Sequence, residues 1–109
     1  MKKPTQIPTE AKAEALRAIE KFNRKELRQS GYQYVPRFRG KFLYLAREEN
    51  GELQPILRLE WAGTKQGWCF AIYKYSRDCY DPEEFFFPGA EFVDGTVAGA
   101  LEAGMHAYP

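Results

Sequence analysis

The chain has 109 residues, of which 44% are hydrophobic and 16% aromatic, and a formal net charge of +1. That length suits one domain closing one core without disulfide staples. The near-neutral total argues against a uniformly basic surface of the kind that binds polyanions without preference.

No apolar run reaches transmembrane length. Met1–Pro8 holds two lysines and two prolines and is too polar for the apolar part of a signal peptide. Two cysteines, Cys69 in a strand-like stretch and Cys79 in a polar one, fit a reducing compartment, although a disulfide between them stays open. The expectation is a cytoplasmic protein with no membrane contact, with residues 1–8 a disordered lead-in and residues 9–109 one domain.

The charge is unevenly placed. Residues 1–47 hold 12 Lys/Arg against 4 Asp/Glu, and residues 48–109 hold 4 against 11. Such asymmetry marks either a polyanion-binding surface or two regions that attract each other within one fold.

In chain order, a helix is expected from about Thr9 to Arg28, with Thr9 as its N-cap and Glu10 favoured by the helix dipole. Ala11, Ala15, Ile19 and Phe22 form its apolar stripe. Arg17, Lys21, Arg24 and Arg28 recur on the opposite side. They are candidate polyanion contacts, or a solvated face with local pairs such as Glu20–Arg24. Gly31 is the expected left-handed residue that ends the helix.

Tyr32 to Arg47 reads as one half-exposed strand, with Gly40 a bulge or a close-approach point. Asn50-Gly51 is the strongest local signal, because both residues tolerate the positive φ of a type I′ hairpin turn. A second strand follows over Leu53–Trp61, with Leu57, Leu59 and Trp61 on one face and Arg58 and Glu60 on the other. Trp68–Ser76 is apolar on both parities, the mark of an inner strand. Arg77–Glu84 reads as a polar loop, and Ala90–Val93 as a brief fourth strand. Asp94 or Thr96 caps a last helix running to about Ala107. Gly99 and Gly104 lower its propensity by roughly 1 kcal/mol each, so it needs close packing, with the sheet as the expected partner.

Catalytic chemistry finds little to stand on. His106 is the one histidine, and no nucleophile or carboxylate forms a motif with it. Asp78, Asp81, Glu83 and Glu84 lack the glycine and the terminal glutamate of a calcium loop. One His and two Cys match no zinc spacing, and no glycine-rich phosphate loop occurs. The expectation is therefore no catalytic set, no cofactor and no metal.

The fold expected is α+β: an N-terminal helix, a three- to four-stranded antiparallel meander and a C-terminal helix, with both helices on one face of the sheet. The other face would then present Arg39, Lys41, Arg58, Tyr73 and Tyr75. Tyrosine and arginine on an open sheet suit a protein interface, including one with a second copy of the chain. The leading expectation is thus a non-catalytic protein-interaction module. The alternatives are a nucleic-acid-binding domain using helix 17–28 and the basic first strand, and a small-ligand protein or enzyme with a pocket between helix and sheet.

Overall fold

The computed structural model describes residues 6–63 and 67–109. Its elements are α1 (Thr9–Glu26), β1 (Tyr32–Arg39), β2 (Phe42–Glu49), β3 (Glu52–Trp61), β4 (Trp68–Lys74), β5 (Cys79–Asp81), a 3-10 turn at Ala90–Phe92 and α2 (Val97–Ala107). Among the described residues the strands form one antiparallel sheet in the order β1-β2-β3-β4-β5. The α+β fold expected from the sequence is what forms, with more strands than expected.

Both helices cover one face. The stripe Ala11, Ala15, Ile19 and Phe22 packs with Tyr34, Leu43, Leu45, Leu57, Leu59, Phe70 and Ile72 from the sheet and Leu101 from α2. Trp61 and Trp68 pair across β3 and β4 with ring centroids 5.0 Å apart, edge to face, a favoured aromatic geometry. Ile7 is also buried in this core, so packing begins before the first helical residue. Residues 1–5 of the expected lead-in lie outside the described residues.

Three local expectations are corrected. The stretch Tyr32–Arg47 is two strands, because Gly40 (φ 59°) and Lys41 make a two-residue turn that pairs Arg39 with Phe42. Glycine in the first turn position suits a type II′ hairpin. The turn carries Phe38 and Phe42 to opposite faces, although they share a parity in the sequence. Ala90–Phe92 is a 3-10 turn and not a strand, and the added strand is Cys79–Asp81, inside the expected polar loop. Asp78, at φ 52°, closes the turn before it, as aspartate tolerates. The N-cap of α1 is Pro8, with no side-chain cap, and the helix ends at Glu26, so Gly31 serves the entry into β1.

Other expectations hold. Asn50 and Gly51 both take positive φ, at 54° and 84°. Thr96 caps α2, its hydroxyl accepting a 3.0 Å hydrogen bond from the Gly99 N–H. Pro55 lies in the central strand β3, where the register against β2 shifts between Leu45 and Ala46. A bulge is where a strand interior admits proline. The shift also turns Ile56 into the core beside Leu57.

The outer edge of β1 is closed by side chains. Asn23 accepts from the Tyr34 N–H at 2.9 Å and donates to the Tyr34 carbonyl at 3.0 Å. Ser30 accepts from the Tyr32 N–H at 3.2 Å and donates to the Leu27 carbonyl at 2.7 Å. Pro36, next of that parity, has no N–H to offer. These devices blunt an edge that would otherwise template another strand.

A candidate binding face on the helix-free side of the sheet

Strand register decides what the uncovered face carries. Arg37 pairs with Tyr44, Tyr44 with Arg58, and Arg58 with Ala71. The next row is Arg39, Phe42, Glu60 and Cys69. Tyr73 pairs with Tyr80. Side chains alternate across a strand, so these rows stand away from the helices.

Arg58 lies near the centre of the face. Its guanidinium sits 4.6 Å from the Phe42 ring centroid and 5.6 Å from that of Tyr80, within cation–π range. Its buried Nε has no hydrogen-bond partner. Lys41 is neutralised by Glu60 at 3.0 Å. Among the described residues Arg37, Arg39 and Arg58 make no ion pair.

The rings form a connected row. Tyr44 meets Tyr80 at 5.4 Å, Tyr80 meets Tyr73 at 5.0 Å, and Tyr73 meets Tyr75 at 4.8 Å, all edge to face. Asp78 accepts from the Tyr73 hydroxyl, and the Pro55 carbonyl accepts from the Tyr75 hydroxyl at 2.8 Å. Burial pushes the Tyr80 hydroxyl above its ordinary pKa and Tyr44 adds to this, while Arg58 and Arg37 pull the other way. Burial likewise raises Tyr75, with Tyr108 adding to it. Both hydroxyls therefore remain protonated at neutral pH, the Tyr75 proton being held by the Pro55 carbonyl.

Between β1 and β3 the face dips into a hollow of about 370 Å³. Tyr44 and Tyr80 wall it, Val35, Ala46 and Pro55 line it, and Arg37 and Arg39 border it.

Of the residues singled out in the sequence, Arg39, Arg58 and Tyr73 fall on this face, with Lys41 at its turn and Tyr75 just past β4. Arg17, Lys21 and Arg24 are exposed on α1, whose buried stripe packs on the other face of the sheet, and Arg28 is exposed in the turn after it. Arg24 pairs loosely with Glu20 at 3.8 Å. The helix stripe and the basic residues of β1 therefore do not form one surface. Arg37, Phe42, Tyr44 and Tyr80 were missed. Arg37 shares the parity of Arg39, and the Gly40-Lys41 turn gives Phe42 and Tyr44 by resetting the parity after it. Tyr80 needed β5 to be recognised, and the Asp78 turn was its only signal.

The remaining polar groups are engaged elsewhere. Lys74 contacts Glu84 at 2.6 Å and Asp81 at 3.6 Å. His106 stacks on Phe92 at 4.8 Å and meets Glu102 at 3.2 Å. Cys69 and Cys79 are both exposed, free thiols. Arg47 stacks on Tyr32 at 4.7 Å and donates to the Tyr108 carbonyl at 2.7 Å. It thus serves the C-terminal end of α2, where a cation is favoured.

Compared with protein-family models, curated proteins and solved structures, the chain has no significant match in any of the three.

Proposed function

We propose that this chain is a non-catalytic interaction module whose working surface is the helix-free face of the sheet. The observation that carries the reading is Arg58, held between Phe42 and Tyr80 and making no ion pair among the described residues. Aromatic residues and arginine are the side chains enriched at interface centres. Leaving a central guanidinium without an acidic partner serves folding poorly and serves recognition well.

A photo-crosslinking residue tests this. Placed at Leu53, an exposed residue bordering the hollow, it should give discrete adducts in cells that make the protein. The same residue at Lys21 on α1 should give none. Adducts from Lys21 alone would move the working surface to the helix and overturn the reading.

A second reading, contact with a protein partner or a second copy, rests on a separate observation. Phe86 is fully exposed and Phe85 is 49% exposed, while Phe87 stacks on Phe70 at 5.7 Å. The anchored third ring holds the other two in solvent, where they can serve as a protein anchor. Substituting Phe85 and Phe86 by Ser and sedimenting at two concentrations tests it. A concentration-dependent dimer lost in that variant supports it, and an unchanged sedimentation profile rules out self-association through this segment.

A further inference from the structure

The uncovered face carries three arginines around its centre, with the hydrogen-bonded aspartate Asp78 at its far end beside Tyr73, and that narrows its partner. Arg37, Arg39 and Arg58 stand on it without ion pairs among the described residues, and its Lys41 and Glu60 cancel each other. An isologous contact centred on the middle strand β3 would set Arg58 of one copy near Arg58 of the other. Like charges brought together in this way cost several kcal/mol. A polyanion has no such conflict.

The hollow adds a second requirement. Its walls are two tyrosine rings and its lining is apolar, while its border is cationic. A ligand matching all three has a planar apolar part and an anionic part beside it, repeated over the width of the face. The strand spacing of about 4.8 Å makes five strands roughly 19 Å wide. Open antiparallel sheets bearing aromatic rings can stack two or three unpaired bases. Paired bases could not reach Tyr44 or Tyr80, because a duplex keeps them stacked inside.

Resting on the interaction reading above, we infer that the partner of this face is single-stranded nucleic acid. One base enters the hollow and stacks on the Tyr44 ring, which Tyr80 braces edge to face. Its flanking phosphates lie on Arg37 and Arg39. The Arg58 guanidinium, held between Phe42 and Tyr80, adds a fixed positive charge beside that base.

The test is fluorescence anisotropy with a labelled twelve-nucleotide oligouridylate, and with a duplex of equal length. The proteins are wild type, Arg37→Glu/Arg39→Glu, Tyr44→Leu, and the control Arg17→Glu/Lys21→Glu. The two charge-reversed proteins change net charge equally and alter exposed residues only, so folding is preserved in both. Single strand should bind more tightly than duplex. The logarithm of affinity should fall with that of salt with a slope of about −1.4, from two phosphate contacts at about 0.7 each. The strand variant should lose at least about tenfold and Tyr44→Leu roughly fivefold or more, in line with the alanine-scale worth of a stacked base. The helix control should stay within about twofold.

No binding at low salt overturns the inference, as does an equal loss in the helix control or a preference for duplex. The crosslinker at Leu53 separates that failure from a failure of the interaction reading. Adducts that contain only protein, with no oligonucleotide binding, leave the face as an interaction surface and remove nucleic acid as its partner. Absence of any adduct removes both.

Discussion

The phenolic oxygen of Tyr34 occupies the space that a side chain on Gly104 would need. A Cβ built there would lie 2.5 Å from Tyr34 Oη and 2.9 Å from both Ile56 Cγ2 and Leu57 Cδ2. The same hydroxyl donates to the Leu101 carbonyl at 2.8 Å. One tyrosine of β1 thus holds one turn of α2 against the sheet, and the glycine permits the approach. Burial, with Tyr32 adding to it, raises the pKa of this tyrosine far above its ordinary value, so it donates throughout the accessible pH range.

Gly104→Ala should therefore destabilise by about 1–3 kcal/mol, an overpacking cost that outweighs the roughly 1 kcal/mol gained in helix propensity. Tyr34→Phe should cost about 1 kcal/mol for the lost hydrogen bond. In the double variant part of the overpacking should disappear, because the nearest atom is gone, while the Ile56 and Leu57 contacts keep the rest. Urea unfolding of the four proteins gives the coupling directly. A neutral or stabilising Gly104→Ala would place α2 farther from β1 than described.

Asn23→Ala should cost about 1–2 kcal/mol, since it removes both bonds to the Tyr34 backbone at once. It also uncovers part of the β1 edge, so light scattering near the midpoint of unfolding should rise relative to wild type. Equal scattering from the two proteins would show that this side chain does not guard the edge.

Core and surface aromatics should separate cleanly. Phe70→Ala should cost about 3–5 kcal/mol, and Trp68→Ala a comparable amount, from lost transfer energy and the cavity left behind. Phe86→Ser should fall within about 0.5 kcal/mol of wild type, because that ring is fully exposed. Thermal unfolding of the three variants suffices. A large loss from Phe86→Ser would mean the ring is covered in solution.

The Lys74–Glu84 contact gives a pH signature. Its hydrogen bond to Lys74 holds Glu84 below its ordinary 4.5, helped by the Phe86 N–H. A depressed carboxylate stabilises above the unfolded value, and the contribution fades as pH falls through the folded one. The bond to Glu84 raises Lys74 from 10.5, so its contribution is complete below that value and is lost as pH rises through the raised one. The stability difference between wild type and Glu84→Gln should hence be level from about pH 5 to 10 and close at both ends. Melting temperatures across pH 3–11 would reveal it, and a gap unchanged at acid pH would show that the ion pair does not form.

Periodicity alone determined the α+β class, the α1 stripe, the Asn50-Gly51 hairpin, the two-sided strand at Trp68 and the parity of Leu57, Leu59 and Trp61. Each follows from residues close together in the chain. The need of α2 for a close neighbour was equally legible from Gly99 and Gly104. The composition of the open face was not. A two-residue turn at Gly40-Lys41 reverses which parity faces out, so Phe42 and Tyr44 reach that face only once the pairing is known, whereas Arg37 shares the parity of Arg39. Tyr80 joins them through a three-residue strand too short to leave a period. Whether three arginines lack acidic partners depends on which carboxylates the fold brings near them. That is a matter of distances across strands, which tertiary structure sets and local sequence does not.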